Sequence, residues 1–235
     1  MSEPALAVAS FDASRDLHVS ARMGATMLFD GRSASVLPEG PQIAETGQGW
    51  RAELPGQLAL QLEPLSDAAD LGGVRAWVCR ASGEIGGRRV QGLGTVSETR
   101  SAPSWEELDA LRTVSVLVDE EHAFLALARR PRGARGHGQE LVNAYLWREG
   151  SLLPVEDARI STVYDGEGRQ RSAGLELWLA GEEWPRRGSG TVTAGSSLQL
   201  EGLRVHAAVF RWRLEGREGV GGYELMVRSE QPVPA

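Results

Sequence analysis

Cysteine is nearly absent from this sequence and lysine is absent altogether. The 235 residues include one cysteine, Cys79, and all 25 basic residues are arginine. A single cysteine excludes an intramolecular disulfide and a metal site built from four thiolates. Without lysine, neither Schiff-base catalysis at a lysine nor a lysine-containing phosphate loop is available. Cys79 follows the apolar residues Ala76–Val78, which favours a buried, inert thiol over a nucleophile.

Long apolar runs are also missing. No segment of the sequence has the roughly 20 consecutive apolar residues that a helix needs to cross a bilayer. The opening residues Met1–Pro4 lack the basic region and apolar stretch of a secretory signal. We therefore expect a cytoplasmic protein.

Positive charge and metal-binding patterns are scarce as well. The net charge is −7 and the isoelectric point is about 5.3, so we expect no nucleic-acid partner. The histidines, His18, His122, His137 and His206, form no pair at metal-ligand spacing. No nucleophile elbow and no dinucleotide-binding glycine motif is present. We expect neither a metal nor a cofactor, and the oligomeric state stays open.

What the sequence does contain is typical of an all-β protein. Glycine (29 residues) and proline (11 residues) interrupt short apolar runs at regular spacing. Leucines alternate with other residues in 58–63 and 174–179, which places them on one face of a strand. The pair Asp30-Gly31 is a strong signal for a β-hairpin turn.

One segment predicts a helix. Ser104 and Glu107 have the spacing of a capping box, in which each side chain satisfies a backbone N–H at the start of a helix. Leu108 and Leu111 then supply an apolar stripe. We therefore expect a short helix near residues 105–112, between the two halves of the chain.

The two halves share features in the same order. The stretch from Phe29 to Ala34, with its Asp-Gly turn and following Arg-Ser-Ala, resembles Tyr164–Gly166 followed by Arg171–Ala173. Leu60–Leu65 resembles Leu198–Leu203, and each half closes with a glycine-rich stretch that ends in glutamate. These matches favour a duplicated antiparallel unit. We place one unit at residues 1–112, ending in the short helix, and the other at 113–235.

The second half also resembles a known family. Its matching stretches are Trp147–Gly150, Pro154-Val155, Arg159–Gly168, Leu200–Val205, Phe210–Trp212 and Gly219–Glu224. They are similar to the C-terminal part of AttH-like, carotenoid 1,2-hydratase-like (hydroxyneurosporene synthase-like) proteins and their uncharacterised bacterial relatives. The resemblance implies two tandem lipocalin-like (calycin-like) β units around an apolar cavity. It also implies a kinship with enzymes that protonate an alkene of an isoprenoid.

Two glutamates are the first candidates for such chemistry. Glu98 and Glu224 end the equivalent glycine-rich stretches of the two halves. If the halves pack about a pseudo-twofold axis, the two carboxylates approach each other, and burial makes one of them a general acid. The alternative is that both glutamates lie at strand ends, in water or paired with arginines such as Arg100 and Arg228. Structural carboxylates outnumber catalytic ones, which favours this alternative.

The remaining candidates lie in and after a basic, glycine-rich loop at 129–138. His137 is a candidate acid or base at the rim of a pocket, Asn143 and Tyr145 share one strand face, and Arg132 and Arg135 suit an anionic group. A solvated surface loop is the alternative for His137 and the arginines. Two aromatic residues further on, Trp212 and Tyr223, are candidate walls of an apolar cavity, with core packing as the alternative.

These observations leave three hypotheses about function. The first is a protein that binds an apolar small molecule, such as a lipid or isoprenoid, between or inside the β units. The second is an acid-initiated cyclase, isomerase or hydratase that uses Glu98 or Glu224. The third is a non-catalytic structural or interaction protein whose cavity is filled by side chains.

Overall fold

The computed structural model describes residues 5–135 and 137–229, which form strands almost throughout. The strands of the first half are β1 (Ala5–Asp12), β2 (Leu17–Arg22), β3 (Ala25–Asp30), β4 (Ser33–Leu37), β5 (Gln42–Thr46), β6 (Gly49–Leu54), β7 (Leu58–Pro64), β8 (Ala69–Asp70), β9 (Val74–Ile85) and β10 (Arg88–Thr99). Those of the second half are β11 (Leu108–Asp119), β12 (His122–Pro131), β13 (Leu141–Arg148), β14 (Ser151–Tyr164), β15 (Gln170–Leu179), β16 (Arg186–Leu200), β17 (Leu203–Leu214) and β18 (Arg217–Arg228). A single 3-10 turn, His137–Gln139, is the one helical element of the described residues.

The first half is an open antiparallel sheet, which we call the open unit. Its strands follow the order β4-β3-β2-β1-β10-β9-β7-β6-β5, and β8 adds to β9. The hairpin predicted at Asp30-Gly31 is confirmed, because Asp30 pairs with Ser33 across a two-residue turn. In β6 and β7 buried and exposed residues alternate strictly, with Leu58, Leu60 and Leu62 on the buried face. This face lines the inside of the curled sheet.

The second half is a closed barrel of eight strands in sequence order, β11 to β18. Each strand pairs antiparallel with the next, and β18 returns to pair with β11. In β12, residues 123–128 are buried on both faces, because one face lines the lumen and the other packs against the open unit. This double burial accounts for the continuous apolar run Ala123–Ala128 in the sequence.

The prediction of a helix near residues 105–112 is wrong. Residues 105–107 form a single turn in which the backbone N–H of Glu107 donates to the carbonyl of Ser104 at 3.0 Å. From Leu108 onward the chain is already in β11, where Ala110 and Leu111 pair with both β12 and β18. A full barrel strand satisfies these backbone groups and buries Leu108 and Leu111, so the long-range pairing overrides the local capping signal.

Three apolar cores hold the molecule together. One fills the barrel lumen, one fills the inside of the curled open sheet, and the third lies between the two units. The third core joins Phe11, Phe29 and Val78 of the open unit to outward-facing barrel residues such as Leu125 and Val209. The chain is therefore two tandem lipocalin-like β units packed side by side. The chain passes from one sheet to the other between Thr99 and Leu108, and the boundary predicted at 112/113 falls inside β11.

Candidate functional site

Side chains occupy the lumen of the barrel. Phe124, Phe210, Trp212 and Tyr223 are each no more than 1% exposed and project into the lumen with leucines and alanines around them. The ring of Phe210 lies 5.1 Å from that of Trp212 and 5.5 Å from that of Tyr223. Trp212 and Tyr223, candidates for ligand binding, thus belong to a packed aromatic core, and Tyr223 also lines an apolar cavity outside the lumen.

A buried polar cluster lies in the same lumen. Arg112 is 1% exposed and donates to the carbonyl of Ile160 and to the hydroxyls of Thr162 and Tyr223 at about 3 Å. Its other nitrogen forms an ion pair with Glu140, whose carboxylate also pairs with Arg130 at 3.0 Å. Burial raises the pKa of Tyr223 to about 12, although Arg112 and Thr162 favour the ionised form. No local sequence pattern marks this cluster, because its residues come from distant strands.

An apolar cavity of about 160 Å³ lies between the open unit and the outer face of the barrel. Its walls combine side chains from the two units, including Phe11, Phe29, Leu71, Ala76, Leu111, Leu125, Leu127, Ala207, Val209 and Met226. Most of these residues belong to the core between the units. The cavity is therefore the part of that core where the two sheets do not fully meet.

One ion pair lies at this apolar cavity and connects the two units. Arg22, on β2, pairs with the carboxylate of Glu224, on β18, and its other terminal nitrogen lies 3.9 Å from the sulfur of Met226. Glu224 is 9% exposed and lines the cavity together with Arg22. A carboxylate and a guanidinium inside apolar walls can orient a polar group of a ligand.

Glu98 has a different environment. On β10 the residues Thr95, Ser97 and Thr99 line the apolar cavity, so strand alternation places Glu98 with Val96 on the opposite face of the sheet. Its carboxylate accepts a hydrogen bond from Arg100 at 3.1 Å and lies 3.9 Å from Arg75. The structure therefore does not bring Glu98 and Glu224 together at one site.

A second, larger cavity of about 400 Å³ lies next to the first, where the β1–β2 turn approaches the barrel. Phe11 lines both cavities, and the larger one is more polar, with Asp12, Asp16, His18, Arg211 and Glu218 in its walls. Burial would raise the pKa of Asp12, but hydrogen bonds from Ser14, the Gln91 backbone and Arg15 outweigh it and lower the pKa to about 2. The Asp12 carboxylate is thus an anchor for the turn.

His18 is the least satisfied polar group of this larger cavity. It is 1% exposed, and its Nε2 lies 3.1 Å from the carboxylate of Asp16. Burial lowers its pKa, although Asp16 and Asp12 favour the charged ring. Within the described residues, Nδ1 has no hydrogen-bond partner. Neither His18 nor Phe11 was singled out from the sequence, because both come from an ordinary alternating strand pair.

The other sequence candidates are spread over separate parts of the barrel. Asn143 and Tyr145 share the outward face of β13, as alternation predicts. Asn143 accepts a hydrogen bond from Arg129 at 2.9 Å, and Tyr145 packs into the core between the units. Arg132 is exposed and donates to the carbonyl of Glu106 at 3.2 Å.

The basic loop itself is largely exposed. Arg135 is exposed, and its backbone N–H donates to the side chain of Gln139 at 2.7 Å. His137 begins the 3-10 turn, and its side chain lies outside the described part of the chain. A shared pocket of His137, Asn143 and Tyr145 therefore stays a prediction.

Residues 5–135 and 137–229 contain no group of three acidic, histidine or cysteine side chains placed to hold a metal ion. In the same residues no helix has both the length and the apolar character required to span a membrane. Burial raises the pKa of Cys79 to about 12, in line with the buried, unreactive thiol expected from the sequence.

Comparisons with known proteins give a fold and no function. No family model matches the chain, and no curated protein matches it. A crystal structure from Nitrosomonas europaea, described as "a putative AttH", matches with a TM-score of 0.61 and 11% identity over 96% of this chain and 92% of that one. A protein of unknown function from the DUF3598 family of Nostoc punctiforme aligns at 11% identity over 97% of this chain and 94% of that one, but its TM-score of 0.16 is too low to indicate a shared fold. The AttH-like resemblance predicted from the sequence is confirmed for the fold.

Proposed function

We propose that this tandem lipocalin-like protein binds an apolar small molecule, lipid-like or isoprenoid-like, in the cavity between its two units. One observation supports this proposal most strongly. The barrel lumen, where a lipocalin-like protein would hold a ligand, is occupied by aromatic side chains, whereas an apolar cavity of about 160 Å³ remains at the interface. The ligand therefore has its best-matched surroundings between the units.

The size and chemistry of the cavity suit a compact apolar ligand. Cavities of about 150 Å³ lined by aliphatic and aromatic side chains stay dry and accept molecules the size of benzene. Phe11 lines both the apolar cavity and the neighbouring one of about 400 Å³. The two adjacent spaces together reach the volumes typical of ligand pockets.

The Arg22–Glu224 ion pair favours one orientation of a bound ligand. A ligand with one hydroxyl or carbonyl group gains a charge-assisted hydrogen bond if that group faces the ion pair, and such a bond is stronger than one to the hydroxyls of Thr95 or Thr99, which also line the cavity. A pure hydrocarbon gains nothing there. We therefore expect a preference for terpenoid or lipid alcohols and ketones over the corresponding hydrocarbons.

Titration with the uncharged fluorescent probe N-phenyl-1-naphthylamine tests the proposal, alongside organic extraction of the protein purified from its own host. The wild type should bind the probe, and Ala76→Leu, which narrows the cavity, should bind it roughly tenfold more weakly, equivalent to about 1.4 kcal/mol. Ala59→Leu on the exposed face of β7 is the matched control and should bind like the wild type. A wild type that binds no probe and carries no extractable ligand would contradict the proposal.

A second candidate function rests on Glu224 alone. A carboxyl group that is 9% exposed and lines an apolar cavity can reach an alkene bound there, so an acid-initiated cyclase, isomerase or hydratase is the alternative. Incubation with farnesol, followed by mass spectrometry of the products, separates the two. An enzyme converts farnesol, and Glu224→Gln abolishes the conversion while the probe still binds. A binding protein returns farnesol unchanged in both forms.

A further inference from the structure

A third cavity, of about 230 Å³, lies where a hairpin of the open unit meets a hairpin of the barrel. We call it the arginine cleft and define it by Arg32, Arg169, Arg171, Ser196 and His206, which all line it. Arg32 lies in the turn between β3 and β4, whereas Arg169 lies in the turn between β14 and β15 and Arg171 follows that turn in β15. The cleft is thus built from both units.

Two of these residues share a local sequence pattern. Arg32 and Arg171 each begin an Arg-Ser-Ala stretch that follows an Asp-Gly pair, one in each half of the chain. The two stretches lie at different places in the two units, at the β3–β4 turn and after the β14–β15 turn, and the structure brings both arginines to one cavity. Neither arginine belongs to the buried polar cluster of the lumen or lines the apolar cavity, so those two sites do not explain why both arginines lie at one cavity.

The side chains that line the arginine cleft carry a net positive charge. Asp165 is the one acidic residue of the lining, and its own turn occupies its carboxylate. Backbone N–H groups of Glu167 and Arg169 donate to one carboxylate oxygen at 2.9 Å, and the Arg169 side chain pairs with the other at 2.9 Å. These contacts lower the pKa of Asp165 to about 2.

Two of the three arginines lack such partners. Across residues 5–135 and 137–229, neither Arg32 nor Arg171 makes a side-chain hydrogen bond or ion pair, although both line a cavity. Most other arginines of the chain have an acidic neighbour, for example Arg88 with Asp30 and Arg51 with Glu53. Both arginines are exposed and line the same cavity, so an anion bound there can pair with both guanidinium groups.

The floor of the cleft is rigid and polar. His206 is 5% exposed, and its Nδ1 lies 2.6 Å from the hydroxyl of Ser197. Gln170, 3% exposed, donates to the carbonyls of His206 and Tyr223 at 3.2 and 3.3 Å and fixes this strand pair. Burial, together with the nearby positive charges of Arg204 and Arg169, lowers the pKa of His206. With Nδ1 engaged by Ser197, Nε2 is the ring nitrogen that remains for a ligand.

We propose that the arginine cleft binds an oxyanion, a phosphate or carboxylate group, between Arg32 and Arg171 with His206 at its base. The planar fork of arginine matches two oxygens of such a group, and two forks from opposite sides give a bidentate cradle. Ala207 and Ala208 line both the arginine cleft and the apolar cavity. The anion is therefore either a free ion or the head group of a molecule whose apolar part occupies the neighbouring cavity.

Calorimetric titration of the full chain at low salt tests the proposal with two probes, inorganic phosphate and monododecyl phosphate. The double variant Arg32→Gln/Arg171→Gln should bind both probes at least roughly tenfold more weakly than the wild type. Arg51→Gln, an exposed arginine of β6 outside the cleft, is the matched control and should leave binding unchanged. Circular dichroism confirms that each variant is folded.

The outcomes separate the source of the anion and the two proposals. Equal affinities for the two phosphates support a free-ion site, and tighter binding of the dodecyl ester that Ala76→Leu weakens supports a head-group site. The proposal is overturned if the wild type binds neither phosphate, or if the double variant binds them as tightly as the wild type. N-phenyl-1-naphthylamine carries no charge, so the double variant should bind it as the wild type does. If the wild type does not bind this probe, the result counts against the apolar site alone and not against the arginine cleft.

Discussion

In both units the first strand pairs with the last, β1 with β10 and β11 with β18, so each half of the chain returns to its starting point. The two units differ in the middle of this circuit. In the barrel, β14 and β15 pair from Val155 to Tyr164 and complete the ring. In the open unit, the corresponding β4 and β5 do not pair and become the two edges of the sheet.

The connection between β4 and β5 explains why this unit stays open. It contains Pro38 and Pro41, which have no N–H to donate to a strand ladder. The carbonyl of Glu39 accepts a hydrogen bond from Thr26 at 2.8 Å. A Cβ atom on Gly40 would lie 1.9 Å from the carbonyl oxygen of Arg22, so the connection packs directly against the backbone of β2. The connection therefore keeps β4 away from β5.

This difference shows where each unit obtains its stability. The barrel satisfies all its strand edges and fills its own lumen. The open unit has two edge strands, and β3 and β4 lie against β16 of the barrel. The open unit therefore depends on the interface more than the barrel does, and the cavities lie at that interface because two curved outer faces cannot match everywhere.

The largest expected effect comes from separating the units. A chain of residues 108–235 should fold alone, since its backbone pairing and lumen core are complete, whereas residues 1–107 should not. We expect a cooperative urea transition for the first fragment and none for the second, measured by circular dichroism. A cooperative transition for residues 1–107 and none for 108–235 would reverse the comparison.

The next largest effect concerns the buried polar cluster of the barrel. Arg112→Ala should lower the free energy of unfolding by about 3–5 kcal/mol, because it leaves the buried Glu140 without its closest cation. Arg88→Ala, which breaks the exposed pair with Asp30 in the open unit, should change it by less than about 1 kcal/mol. Urea denaturation measures both variants. Equal effects would show that the lumen network is no more important than a surface pair.

Alkaline pH gives a smaller effect that each unit shows through a different residue. Tyr223 in the barrel has its pKa raised from 10.0 to about 12, and Cys79 in the open unit from 9.0 to about 12. Each group loses its proton in the unfolded chain first. The stability it contributes is therefore complete below the unfolded pKa and decreases as pH rises towards 12.

Tyr223→Phe should remove the part of this decrease that begins near pH 10, and Cys79→Ala the part that begins near pH 9. Each part should amount to about 1–3 kcal/mol. Urea midpoints between pH 8 and pH 11 measure it. If Tyr223→Phe keeps the full dependence of the wild type above pH 10, the barrel tyrosine does not contribute.

The sequence predicted the fold class well because strand alternation, glycine spacing and the Asp30-Gly31 turn are local signals. It failed at Ser104–Leu111, where Ser104 and Glu107 form one turn through a backbone hydrogen bond and pairing with distant strands determines the conformation from Leu108 onward. The sites were harder still. The apolar cavity gathers residues from five strands of the open unit and four strands of the barrel, so no motif of neighbouring residues marks it.

The two glutamates illustrate the same limit. Both end glycine-rich stretches, so the neighbouring sequence does not distinguish Glu98 from Glu224. Strand alternation and the packing of the units decide that only Glu224 faces the apolar cavity, whereas Glu98 lies with Val96 on the opposite face of its sheet. Arg22, the partner of Glu224, lies 202 positions away in the sequence and belongs to no recognisable motif.

The central claim is that the ligand lies between the units and not inside the barrel, and two alanines of the barrel test it directly. Ala207 on β17 belongs to the core between the units and lines the apolar cavity, whereas Ala144 on β13 belongs to the lumen core and does not line that cavity. N-phenyl-1-naphthylamine should bind Ala207→Leu roughly tenfold more weakly than Ala144→Leu, which should bind like the wild type. Weaker binding by Ala144→Leu, with Ala207→Leu unchanged, would place the ligand in the lumen and contradict the account.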